Sequence, residues 1–425
     1  MSVKTSITWT LSTLAVASLA ACGGGYAEFE STRTAGQSGQ ARAATASSTA
    51  SALGERERRG MRKLVIFGDS LSDVGSYRTT GIAAVGGGQY TVNGRPHRNW
   101  SEHLARELEI DPPCAARTGL DASGPLAFFA ESVVDHAGCL NYAQGGARVT
   151  HPIGPWNAAL LGFGDPSGYL GQLTNPLVEQ ISRHLAVAGG SFSPRDLVAV
   201  QAGGNDLFMN LAALHAALAG GADPDTAVTQ AVGAMAQAGA ELAGYVNGLI
   251  VAKGAKRVLV VNVPDVGVSP AALAEAPQIQ GLISLLAATF NAQLATGVAG
   301  VSEVLLVDAF SASRDQVANP AKYGLRNVTQ PACDLNKTPF PSSLVCVAPI
   351  TLVDGDVSRH LFSDTVHPTP YGYRLLAELV TDTMAQAGWI GRRGECGSSD
   401  EECEHRSDAE EKSQRLAFTS SIHAP

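Results

Sequence analysis

The chain has 425 residues, 39 acidic and 30 basic, for a formal charge of -9, which is room for one large domain or two small ones. A hydrophobic fraction of 45% excludes disorder throughout. The net acidity argues against a nucleic-acid binder, which needs a basic face to displace phosphate counterions. Aromatics at 6% are too few for the girdles of a membrane β-barrel, while 46 glycines suit a loop-rich α/β protein.

Residues 1–22 have the shape of a targeting segment: Lys4, a moderately apolar stretch, then small residues. Leu19-Ala20-Ala21-Cys22 resembles a bacterial lipobox, in which Cys22 is lipidated and heads the mature chain; an ordinary signal peptide cut near Ala21 is the other reading. The first reading makes residues 1–21 a lipoprotein signal. It expects an exported protein in the periplasm, outer membrane or cell surface, its membrane partner reached through the N-terminal lipid anchor. Residues 22–61, rich in Ser, Thr, Ala, Gly and Gln, read as a flexible tether.

The folded domain is expected over residues 62–390. It opens on Lys63–Phe67, a short apolar run, and similar runs follow at Leu197–Val200, Val258–Val261 and Val304–Val307. Apolar on both faces, they fit central strands of a parallel sheet. Asp225–Ala252, Gln278–Leu294 and Tyr371–Ala387 read as helices between and after them, which makes the fold class α/β. The uncharged stretch Gly281–Ser302 is broken by Ser284, Thr289, Asn291, Gln293 and Thr296, so a core helix followed by a loop is expected there. Residues 391–425, with eight acidic and five basic residues, read as a solvated charged tail.

Apart from Cys22, six cysteines remain, an even number that suits disulfides in an oxidising compartment. Six allow fifteen pairings. Neighbours in sequence are favoured: Cys114 with Cys139, Cys333 with Cys346, Cys396 with Cys403. No C-x-x-C and no nearby paired histidines point to zinc, so no metal site is expected.

Four segments carry candidate chemistry. Gly68-Asp69-Ser70 ends the first strand, at the sheet edge where α/β proteins place ligands; a helix N-cap is the plainer role for such a serine. Asn141-Tyr142-Ala143-Gln144-Gly145-Gly146-Ala147 has paired glycines that let backbone approach a ligand, or form a plain turn. Gly203-Gly204-Asn205-Asp206 follows the second apolar strand, and Asn205 either donates its amide to an oxyanion or caps the next helix. Asp364-Thr365-Val366-His367-Pro368 puts a carboxylate one turn before a histidine, within reach of Nδ1, leaving Nε2 free to take a proton.

In this order, GDSLSD, NYAxGGA, GGND and DxxHP resemble the block pattern of the GDSL family of SGNH hydrolases, over roughly residues 63–387. Asn93 to Trp100 also looks like the substrate-side loop of secreted lipase-like members. The resemblance implies a three-layer αβα sandwich with a mainly parallel, five-stranded sheet. It implies Ser70 as nucleophile, His367 as general base and Asp364 as the group that orients the imidazole. The N–H groups of Ser70 and Gly146 and the side chain of Asn205 would form the oxyanion hole, with Asp69 and Asp73 as supporting turn residues. It implies a serine esterase acting on acyl esters, lipid-like ones foremost, without metal or cofactor. An acyltransferase of the same chemistry and a non-catalytic surface binding lipoprotein are the alternatives. Ala158–Phe163 would line an acyl site or pack in the core.

Overall fold

A computed structural model describes residues 60–94 and 99–391. Cys22, the signal and tether before residue 60, the tail from residue 392 with Cys396 and Cys403, and part of the 93–100 loop lie outside the described residues.

The strands of the main sheet are β1 (Lys63–Gly68), β4 (Asp196–Gln201), β5 (Arg257–Val261) and β6 (Val304–Val307). They run parallel in the order β1-β4-β5-β6. β2 (Arg117–Leu120) and β3 (Glu131–Asp135) form a separate antiparallel pair. Among the described residues the main sheet therefore has four regular strands where the family resemblance implies five. The fifth position, beside β1, is held by residues 140–144. Ile66 donates to Leu140, while Tyr142 and Gln144 donate to Ile66 and Gly68, at 2.8–3.1 Å. Asn141 bridges β1 in parallel register, but this polar segment turns away before it forms a regular strand.

The period of two along each strand sorts the core into two faces. Val65, Phe67, Val198, Val200, Val258 and Val260 point to one side. There they meet helices α2 (Leu177–Val187), α3 (Gly204–Ala219), α4 (Pro224–Tyr245) and α5 (Pro277–Val298). Leu64, Ile66, Leu197, Ala199, Leu259 and Val261 point to the other. They pack on Trp100 and Leu104 of α1 (Trp100–Glu107), and on Tyr373, Val380 and Met384 of the last helix, α7 (Pro370–Gln386). A further helix, α6 (Ala309–Ala318), follows β6. Both faces are covered, which gives three layers and explains strands without polar alternation.

Local signals set the helix starts. The Asn99 side chain accepts from the Glu102 N–H, and Glu102 reaches back to the Asn99 N–H, a capping box for α1. Asp223 caps α4 ahead of Pro224, and Thr369 caps α7 ahead of Pro370. α4 ends in a π turn over Val246–Ile250 and a 3-10 turn over Val251–Lys253, so the helical pattern expected to residue 252 is not one regular helix. By length and composition α5 could cross a membrane. Its Ile283, Leu286, Phe290 and Leu294 are instead buried in the core.

Candidate active site

With residues 140–144 counted beside it, β1 stands where the strand order reverses. The chain leaves β1 toward one edge and returns on its other side at β4. Ligands of open α/β sheets bind at the carboxyl ends of strands at such a point. Ser70 lies just past β1, and Asn205 lies just past β4.

The turn after β1 is built by short side chains. Asp69 Oδ1 accepts the Leu71 N–H at 3.0 Å. Asp73 accepts the N–H groups of Gly75 and Ser76, and its other oxygen accepts the Gly145 N–H at 3.0 Å. Asp73 thus ties this turn to the glycine pair. The last loop is built the same way. Asp364 Oδ1 accepts from the backbones of Val366 and His367 at 2.9 and 2.8 Å, which folds the D-x-x-H segment into one tight turn ahead of α7.

These two turns meet. His367 Nε2 lies 2.8 Å from Ser70 Oγ. His367 Nδ1 lies 2.7 Å from Asp364 Oδ2, which also accepts the Ser343 N–H at 3.0 Å. With Nδ1 donating to the carboxylate, Nε2 presents its lone pair to the serine hydroxyl. Asp364 is 4% exposed. Burial by itself would raise its pKa. The His367 charge, the ring N–H and the Ser343 and His367 backbone N–H groups outweigh burial and hold it well below the usual carboxylate range. Asp69 behaves oppositely: burial pushes its carboxyl up to about 7, against the Leu71 N–H, the His367 charge and the Gln201 amide.

The glycine pair and Asn205 sit together. Asn205 Nδ2 donates to the Ala147 carbonyl at 2.8 Å. Asp206 receives Arg148 Nε and the Val149 N–H, both at 3.0 Å. Gly146 has φ +78°, and a Cβ there would lie 2.6 Å from the Pro155 carbonyl oxygen and from Thr174 Cγ2. Only glycine fits this turn without strain. Among the described residues, the N–H groups of Ser70 and Gly146 have no hydrogen-bond acceptor.

A cleft of about 80 Å³ opens here, lined by Ser70, His367 and Asn205. Phe208, Val263, Val266, Phe362 and Val366 supply its apolar wall; Asp69, Gln201 and Asp265 supply polar groups. Ala158–Phe163 does not line it: that segment is a 3-10 turn with Leu160 buried and Phe163 exposed. A wider, open depression is lined by Ser311, Arg314, Asp315 and Ala318; its carboxylate, Asp315, is engaged by Asn319, Lys322 and Tyr323.

Residues outside the four motifs also shape the site. The Tyr90 ring lies 4.9 Å from that of His367, and Gln172 donates to the Tyr90 hydroxyl at 2.6 Å. Asn93 is buried, and its amide donates to the carbonyls of Gln89, Thr91, Ser343 and Cys346, which holds the 343–346 turn against Asp364. Trp100 is also buried and donates to Ser72 Oγ at 3.1 Å. Asn93 and Trp100 therefore build walls behind the site; neither is among the residues lining the cleft. Disulfides join Cys114 to Cys139 and Cys333 to Cys346. Among the described residues no group of three or more His, Cys, Asp or Glu could hold a metal ion.

The family model described as GDSL-like Lipase/Acylhydrolase matches residues 64–380. Esterase EstA of Pseudomonas aeruginosa is 29% identical over 344 residues, covering 77% of this chain and 47% of that protein. Esterase EstA of Pseudomonas putida matches to the same extent. The chain spans about half the length of these two curated relatives. A GDSL esterase/lipase of Arabidopsis thaliana is 30% identical over 83 residues, 20% of this chain and 22% of that one. Among solved structures, an extracellular lipase from Streptomyces rimosus aligns with 15% identity and a TM-score of 0.35, covering 76% of this chain and 99% of that one.

Proposed function

The chain belongs to the GDSL-like lipase/acylhydrolase family, and from that premise we propose that it is a serine carboxylic-ester hydrolase working through an acyl-enzyme. The observation that carries this reading is the unbroken hydrogen-bonded line from Ser70 through His367 to Asp364. His367 Nε2 takes the proton as Ser70 Oγ attacks the ester carbonyl. Asp364 holds the ring tautomer and stabilises the imidazolium that forms. The tetrahedral oxyanion is met by the N–H groups of Ser70 and Gly146 and by Asn205. One amide hydrogen of Asn205 is committed to Ala147, and the other is free to serve the oxyanion. His367 returns the proton to the departing alkoxide, and water repeats the sequence to release the acid.

The substrates are acyl esters, lipid-like ones foremost, because one wall of the cleft is apolar and lies beside the nucleophile. An acyltransferase would use the same groups and differ only in the alcohol that replaces water. A non-catalytic binding role would leave the three groups without reason to touch. Cys22 as the lipidated residue of an exported lipoprotein belongs to the same reading; the two disulfides support an oxidising compartment.

Hydrolysis of a p-nitrophenyl ester series from acetate to palmitate, with phospholipid liposomes alongside, tests the proposal on wild type and Ser70→Ala. Activity that vanishes in the variant supports it, and the preferred chain length identifies the acyl group. Equal activity in both proteins removes Ser70 from the mechanism and overturns the reading.

A further inference from the structure

We propose that Tyr90 and Gln172 form a positioning bridge that sets the ring of His367 and the Gly145–Gly146 turn as one unit; the inference rests on the hydrolase reading above. Tyr90 meets His367 through its ring, with centroids 4.9 Å apart and planes at 31°. Its hydroxyl accepts from Gln172 Nε2 at 2.6 Å, and both side chains are buried. The glycine turn is seated on this pair. A Cβ on Gly145 would lie 2.0 Å from the Tyr90 hydroxyl oxygen, and one on Gly146 would lie 2.8 Å from Gln172 Oε1. Neither Tyr90 nor Gln172 lines the cleft, so both act through the groups they touch.

The bridge is itself held rigidly. The Gln172 N–H donates to the Trp156 carbonyl at 2.9 Å, and its carbonyl accepts from Asn157 Nδ2 at 3.1 Å. Tyr77 donates to the Gly145 carbonyl at 2.7 Å and accepts the Thr174 N–H at 3.2 Å. Trp156 and Thr174 adopt φ of +65° and +49°, left-handed conformations that non-glycine residues hold only when their surroundings impose them. Both strained residues lie against Gln172 or the glycine turn. This backing segment is shaped to place the turn.

A base and an oxyanion donor must be set together because both serve the same transition state. Loosening one relative to the other lowers kcat and leaves substrate affinity largely alone. Tyr90→Phe keeps the ring on His367 and deletes the hydroxyl. Gln172→Met keeps the volume and deletes the donor. The measurements are kcat and KM on p-nitrophenyl butyrate, the rate at which a fluorophosphonate labels Ser70, and the thermal midpoint, for wild type, both variants and the double variant.

Each variant is expected to lose about tenfold in kcat and in labelling rate, with KM within about twofold, as a small misplacement of catalytic groups costs. The double variant is expected to lose no more than the worse single one, as groups acting as a unit do. Single variants that label and turn over like wild type overturn the inference, and so do losses that multiply or appear only in KM. If one variant fails to fold, the kcat-against-KM split of the other decides. A wild type that the probe does not label at Ser70 overturns the hydrolase reading and this inference with it; variants matching a well-labelled wild type overturn the inference alone.

Discussion

The backbone N–H of Ser343 donates to Asp364 Oδ2, the same oxygen that receives the Nδ1 proton of His367. One carboxylate oxygen is therefore shared between the histidine and a loop that begins far from the D-x-x-H turn. Asp364→Asn would present an amide to His367 and hold the ring in the wrong tautomer. On the proposed mechanism, kcat on a p-nitrophenyl ester should fall about 10⁴-fold, the loss seen when the aspartate of a serine triad is made an amide, with circular dichroism unchanged. A loss under tenfold would remove Asp364 from the mechanism.

The Ser343 turn is pinned by the Cys333–Cys346 disulfide, which closes a loop with a sequence separation of 13. Replacing both cysteines with alanine should cost about 3 kcal/mol of stability, the loop-entropy value for this length. It should also lower kcat, because the donor to Asp364 sits beside Cys346. Unfolding in urea measures the first and ester turnover the second. Turnover that stays at the wild-type level would show that the turn is held without the bridge.

Gly146 and Asn205 should respond differently. Asn205→Ala removes the oxyanion donor together with the bond to the Ala147 carbonyl; a loss of about 10²–10³ in kcat is expected, with about 1 kcal/mol of stability. Gly146→Ala keeps its N–H, but its φ is +78° and its Cβ would lie 2.6 Å from a backbone carbonyl. It should destabilise the fold by about 1–3 kcal/mol as well as slow catalysis. Thermal midpoints of the two variants, measured together, check the contrast; a midpoint for Gly146→Ala no lower than that of Asn205→Ala would contradict it.

Burial raises the Asp69 carboxyl to about 7. In the unfolded chain it ionises near 3.9, so between these values the folded protein binds more protons than the unfolded one. The Asp69 contribution to stability is thus present in acid and is lost as pH rises toward 7. Asp69→Asn stays neutral throughout and can keep the bond to the Leu71 N–H. The variant's stability relative to wild type should climb between pH 4 and 8, by no more than ~4 kcal/mol. A difference that stays flat with pH would mean that Asp69 ionises normally in the fold.

The parallel strands were legible because doubly covered strands must be apolar on both faces, as Leu64 to Phe67 and Val258 to Val261 are. The β2–β3 pair was not. Glu131–Asp135 is exposed along its whole length, so no apolar face marks it. α1 could have been found, since Asn99 and Glu102 have capping-box spacing. At the site, Ser70, Gly146, Asn205, Asp364 and His367 stand in short motifs with local turn chemistry. Tyr90, Gln172 and Ser343 do not. Each matters through a partner distant in sequence, as Gln172 is 82 residues from Tyr90. Such pairings exist only once the chain has folded, and no local pattern announces them.

Ser70 and His367 touch although 297 residues separate them. The Ser70 hydroxyl hangs from the first strand of the domain, and His367 stands just ahead of α7. A chain whose final helix has not docked on the sheet carries only an unactivated alcohol at position 70. Reactivity of that alcohol therefore reports that the whole domain has closed, and during refolding it should return only after the helices and strands have re-formed.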